Sequence, residues 1–126
     1  MRFVLDASAA LALLHDEPGA GHVGARLHDA GISAVNLIEV GSKLVDGGVD
    51  LENARRAVAL LRVETVDFDL GLAETAIALR ARTRPFGLSL ADRACLALAI
   101  RENAIALTAD RAWAKLDVGC RIELIR

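Results

Sequence analysis

The stretch that decides the fold is LSLADRACLALAIRENAIALTAD, Leu88 to Asp110. Ser89 followed three residues later by Asp92 is a helix-start pattern. Ala94 to Ile100 is almost wholly apolar, and a helix that is apolar nearly all round is a buried one. Glu102-Asn103 breaks it. Ala104 to Leu107 is a four-residue apolar run between turn signals, which reads as a buried strand. One carboxylate, Asp92, therefore stands at the start of a core helix. Another, Asp110, stands just past the end of a core strand.

Working outward, Arg2 to Leu5 is a first strand, and Ser8 is placed to cap a helix over Ala9 to Leu14. A helix is expected over Gly19 to Ala30, although glycines weaken it. A second strand covers Gly31 to Val35. Asn36 is placed to cap the next helix, with Glu39 at capping-box spacing, and that helix runs to about Val45. Leu51, Ala54, Val58 and Leu61 share one face of an amphipathic helix. A third strand spans Val63 to Val66. A helix spans Leu70 to Arg84, and Pro85 to Gly87 makes a turn. A short helix near Arg111 to Leu116 and a strand from Ile122 to Ile125 close the chain. Nothing repeats. Short apolar strands alternating with helices predict an α/β fold: a single three-layer domain over residues 1–126, with a mainly parallel central sheet of about five strands and helices on both faces.

With 54% hydrophobic and 25% charged residues, the composition excludes a disordered chain. No apolar run approaches the roughly 20 residues needed to span a bilayer. No basic and apolar leader opens the chain, so the expectation is a cytoplasmic protein with no membrane partner. Cys95 and Cys120 lack metal-type spacing and read as reduced thiols. A net charge of −2 argues against a general electrostatic binder of nucleic acid. It leaves room for a nucleic-acid enzyme, because local patches outweigh the total. Thirteen of the fifteen cationic residues are arginines, and Arg80, Arg82, Arg84 and Arg93 cluster before and within the opening stretch. Arginine suits bidentate phosphate contact, though each one alone also reads as a solvated helix position. There is no glycine-rich nucleotide fingerprint and no P-loop lysine. No Ser or Cys has a plausible His partner for nucleophilic catalysis, and His15, His22 and His28 lack metal spacing.

Asp6, Glu39 and Asp110 follow strands, and the carboxyl edge of a parallel sheet is where ligands bind. Asp92 joins them if its helix begins there. Two carboxylates about 5 Å apart repel by about 3 kcal/mol at an effective dielectric of 20. No lysine or histidine stands beside them in sequence. Either some take up protons or a dication fills the space, and oxygen ligands without His or Cys point to Mg²⁺ or Mn²⁺. Each acid also has a purely local reading. Asp92 and Glu39 can complete capping boxes, Asp6 can stabilise a turn, and Asp110 can favour a helix start. What the local readings leave unexplained is why acids follow successive strand ends while the strands themselves carry none.

Val4-Leu-Asp-Ala-Ser-Ala-Ala10, Glu39 in Asn-Leu-Ile-Glu-Val, Gly87-Leu-Ser-Leu-Ala-Asp92, and Leu107-Thr-Ala-Asp110 with Trp113 resemble the PIN-domain nucleases. The short length resembles the VapC toxins of toxin–antitoxin pairs. The resemblance covers essentially the whole chain. It implies a parallel sheet, an Mg²⁺- or Mn²⁺-dependent ribonuclease, a homodimer, and a small antitoxin protein whose tail covers the acidic groove. It implies that Asp6, Glu39, Asp92 and Asp110 hold metal and carry catalysis, and that Ser8 and Thr108 support them. Arg84, Arg93 and Arg111 are candidate phosphate contacts. Two other readings stand beside it. One is a PIN-like binding module that cuts nothing. The other is a metal-dependent phosphatase, which would want a second Asp where Ser8 stands.

Overall fold

The computed structural model describes residues 1–126. In chain order the elements are β1 (Phe3–Leu5), α1 (Ala7–Leu14), α2 (Ala20–Gly24), β2 (Ala30–Ser33), α3 (Ala34–Asp46), α4 (Leu51–Leu60), β3 (Glu64–Val66), α5 (Leu70–Ala78), α6 (Arg80–Thr83), α7 (Leu90–Arg101), β4 (Ile105–Thr108) and β5 (Arg121–Leu124). Single 3-10 turns lie at Leu27–Asp29, Arg84–Phe86 and Arg111–Lys115. No helix is long and apolar enough to cross a membrane.

All five strands pair in parallel in the order β3-β2-β1-β4-β5. The α/β sandwich expected from the apolar runs is the one observed. Alternation along β1 explains the layers. Phe3 and Leu5 point into a core with α1, α2, α3 and α4, while Val4 points into a second core with α5, α7 and Trp113. The inner strands carry no charge, and charged residues appear only on the two edge strands, as Glu64, Arg121 and Glu123. Every residue from Ala94 to Ala99 is buried, because α7 lies against the sheet on one side and against α3 and α5 on others.

The topology sets the site. From β1 the chain walks outward through β2 to β3, then crosses back to place β4 on β1's other side. The segments leaving β1 and β4 therefore diverge, which opens a crevice at the carboxyl ends of these two strands.

Several local expectations change. Helix α1 is capped by Asp6 and not by Ser8: the Asp6 side chain accepts from the Ala9 amide. Helix α3 is capped by Ser33 and not by Asn36, which leaves Glu39 in the second turn, away from any capping box. Between Gly19 and Ala30 only Ala20–Gly24 is α-helical. Gly19 sits at φ +97°, and a Cβ there would lie 2.6 Å from the Ile125 carbonyl oxygen, so only glycine fits. The helix expected over Leu70 to Arg84 comes as α5, α6 and a 3-10 turn. Pro85 has no N–H for the Ala81 carbonyl, and the Thr83 hydroxyl donates to the Leu79 carbonyl at 2.9 Å instead of facing solvent.

Candidate active site

Asp6 is the centre of the crevice. It is only 4% exposed, at the first residue past β1. Its Oδ1 accepts from the Ala9 amide at 2.8 Å and from the Ser8 hydroxyl at 2.6 Å. Its Oδ2 accepts from the Thr108 hydroxyl at the end of β4. Ser8 Oγ in turn accepts from the Ala109 amide at 2.8 Å, and Thr108 Oγ1 accepts from the Asp110 amide at 3.0 Å. Both hydroxyl protons are thus committed to Asp6, and both hydroxyl oxygens hold the chain beyond β4. Burial raises Asp6 from 3.8 to about 6; the Ser8, Thr108 and Ala9 hydrogen bonds pull it down, and the charge of Asp92 pushes it up. Desolvation outweighs three donors here.

Asp92 is half-buried at the start of α7. Its Oδ2 accepts from the Ser89 amide at 2.9 Å while the Ser89 hydroxyl accepts from the Asp92 amide, a complete capping box. The local reading and the site reading of Asp92 therefore coexist: one oxygen fixes the helix start, and the charge still acts on Asp6. Cys95 lies one turn further along α7. Burial raises its thiol well above the ordinary value, and the charges of Asp6, Asp92 and Glu39 add to the rise. In the sequence reading all four acids stand without a neighbouring lysine; for Glu39 the structure corrects this. Lys43 Nζ lies 3.5 Å from its Oε1, one helical turn away. That spacing is visible in the sequence and was the signal for it.

Asp110 lies two residues past the end of β4. It is exposed, and its Oδ1 accepts from the Ala112 amide at 3.0 Å. Asp92 thus lies near enough for its charge to act on Asp6, and the Asp110 backbone is tied to Asp6 through Thr108. Arg84 and Arg111 are exposed and make no ion pair. Arg93 is partly spent on the fold, because its Nη1 donates to the Ala76 carbonyl at 3.0 Å and holds α7 to α5.

A profile of the PIN domain matches residues 3–119, nearly the whole chain. The chain belongs to the PIN domain family. Its fold recurs in solved structures at low sequence identity. The DNA-bound VapBC complex of Salmonella typhimurium matches at TM-score 0.79 and 19% identity, over 100% of this chain and 99% of that one. VapBC2 of Rickettsia felis, bound to a promoter DNA fragment, matches at 0.78 and 18%, over 98% of each chain. VapC20 of Mycobacterium tuberculosis, a sarcin–ricin-loop-cleaving toxin, matches at 0.71 and 18%, over 91% and 96%. No curated protein sequence matches the chain.

One residue of this PIN domain that positions the site was read differently from sequence. Asn36 is fully buried. Its Oδ1 accepts from the Ser33 hydroxyl at 2.6 Å, and its Nδ2 donates to the Ala91 carbonyl at 2.9 Å. It therefore pins the start of α3 to the start of α7, setting Glu39 and Asp92 relative to each other. Ser33 and Asn36 have the spacing of a cap and its third helical residue, which was the available signal. Asn36→Ala strands the buried Ser33 hydroxyl and the Ala91 carbonyl, and is expected to cost about 2 kcal/mol. A urea midpoint equal to the wild type's would show that the clasp carries no weight.

The donor set of the PIN domain suits a hard dication. It is all oxygen, and Asp6 and Asp92 have no cation of the chain paired with them. No three Asp, Glu, His or Cys residues stand close enough together to hold an ion directly. Mg²⁺ commonly takes only one or two carboxylates and keeps water in its other positions, so the Asp6–Asp92 pair fits it.

Proposed function

We propose that the chain is a divalent-metal-dependent ribonuclease and the toxin of a toxin–antitoxin pair. The observation that carries this reading is Asp6: a carboxylate buried beneath the crevice, oriented by two hydroxyls and an amide, with Asp92 pressing on it and no cation of its own. Such a group costs stability unless positive charge arrives from outside the chain. Membership of the PIN domain family and the likeness to solved toxin structures support the same reading, as does the sarcin–ricin-loop cleavage named for VapC20.

In this reading Asp6 and Asp92 hold the ion, while Asp110 and Glu39 complete or orient its surroundings. When bound, Mg²⁺ or Mn²⁺ supplies Lewis acidity to the phosphate and to the attacking water. Ser8, Thr108 and the Ala9 amide keep Asp6 fixed and favour its ionised form. Asp92 offers the oxygen that Ser89 does not use. Asp110, exposed two residues past β4, would meet the sugar–phosphate backbone. Water is the nucleophile, so the 2′-hydroxyl is not consumed and the ends are 5′-phosphate and 3′-hydroxyl. The solved VapBC neighbours support a small antitoxin as partner, and the family resemblance supports a homodimer.

The purified chain is expected to cut structured RNA in Mg²⁺ and to stop in EDTA, while leaving a phosphomonoester untouched. Cleavage that persists in EDTA, or products with 2′,3′-cyclic ends, would end the metal-hydrolase reading. Phosphomonoester turnover would favour the phosphatase.

A further inference from the structure

The charge of this chain is unevenly placed. Its formal total is −2, yet from Thr75 to Ala91 there is no acidic residue and there are three arginines, Arg80, Arg82 and Arg84. All three are exposed, and none makes an ion pair or a side-chain hydrogen bond. Two exposed arginines elsewhere are paired with acids, Arg56 with Glu52 and Arg101 with Asp69; the unpaired ones, such as Arg55, Arg62 and Arg121, are scattered and not gathered in an acid-free segment. The same segment carries the chain's one exposed aromatic. Phe86 is 37% exposed, whereas Phe3 and Trp113 are buried and Phe68 is half-buried.

The segment is held firmly beneath these side chains. Thr83 is fully buried, with its hydroxyl on the Leu79 carbonyl, and Leu88 is buried at the other end. Pro85 restricts the backbone between them. The segment passes from α6 into the 3-10 turn Arg84–Phe86, and Arg80, Arg82, Arg84 and Phe86 are all exposed along it. This ridge leads into Ser89, whose amide binds Asp92. Ser89 comes five positions after Arg84, so the two lie no more than about 18 Å apart, a span of a few nucleotides.

We infer that the ridge Arg80–Phe86 is a grip for single-stranded RNA beside the acidic crevice, with the arginines on successive phosphates and Phe86 stacking on a base. The inference rests on the ribonuclease reading and adds to it where the substrate lies. An acidic crevice repels a polyanion, and a basic ridge on a preordered backbone offsets that repulsion without needing to read sequence. Arg93 takes no part, since it is engaged with Ala76.

The test is binding of a fluorescein-labelled single-stranded RNA of about twelve nucleotides, followed by anisotropy in EDTA over a range of salt. Each phosphate neutralised on a single strand contributes about −0.7 to the slope of log affinity against log salt. The variant Arg80→Gln/Arg82→Gln/Arg84→Gln is expected to bind about tenfold more weakly, with a slope shallower by about 2. The matching Arg→Lys variant restores the slope, because it keeps the charge. Phe86→Ala weakens binding about tenfold and leaves the slope alone. Removing equal charge elsewhere, with Arg55→Gln/Arg62→Gln/Arg121→Gln, leaves both unchanged. Wild-type affinity and slope in the ridge variant overturn the inference, as does an equal loss in the control. If the wild type cuts RNA in Mg²⁺ in those cases, the ribonuclease reading survives. A wild-type chain that neither binds nor cuts RNA ends both.

Discussion

Asp6→Asn is expected to abolish RNA cleavage and, at pH 8 without metal, to make the protein more stable by about 2 kcal/mol. The sign follows from burial. Folding raises Asp6 from 3.8 to about 6, so the folded chain holds this proton more tightly than the unfolded one. The group's contribution to stability is fully present below about pH 4 and is lost as the pH climbs through about 6. Above that the metal-free fold carries an ionised, desolvated carboxylate at a cost of about 3 kcal/mol. Asparagine removes the charge and still accepts from the Ala9 amide, but it gives up at least one of the two hydroxyl donors, which reduces the gain. Urea unfolding between pH 4 and 8 reads the effect directly. The wild type should lose stability with rising pH and regain it on adding Mg²⁺. The variant should show neither change. A variant that is inactive and also weaker at pH 8 would mean that Asp6 serves the fold and not a metal.

Thr108→Val should have the second-largest effect. It keeps the shape at the end of β4 but removes the hydroxyl that donates to Asp6 Oδ2 and accepts from the Asp110 amide. Hydrogen bonds to a charged oxygen are the stronger kind, so Asp6 rises further. At limiting Mg²⁺ the acid limb of the cleavage profile is expected to move up by about one pH unit. Metal affinity should fall between tenfold and a hundredfold, by roughly what losing an outer hydrogen bond to a ligand costs. Thr108→Ser restores the O–H and with it the wild-type limb. A limb that stays in place in the valine variant would separate the hydroxyl from the chemistry.

How much of this was legible in the sequence depended on whether one interaction or several decided each residue. The stretch from Leu88 to Asp110 was legible because apolarity all round a helix and a short apolar run leave few alternatives, and the sheet follows from strands of that kind. Caps were not. Asp6 and Ser8 are both good cap residues two positions apart, and Ser33 and Asn36 three apart. The choice between them fell to tertiary bonds, Thr108 on Asp6 and Ala91 on Asn36. The acids were legible by chain direction, but their inequality was not. That Asp6 is sealed and Asp110 open to solvent depends on packing that no spacing encodes, whereas the Lys43 beside Glu39 was there to be read one helical turn on.

The hydroxyl bonds around Asp6 join residues about a hundred apart in sequence, Ser8 beside Thr108 and Thr108 on Asp6. The central strand β1 likewise needs β4 as a neighbour. On a ribosome, the first acid emerges early and waits for nearly all the remaining chain before its surroundings exist. A protein proposed to cut RNA is thus translated in an unfinished form, and its destructive pocket closes only after synthesis is almost over.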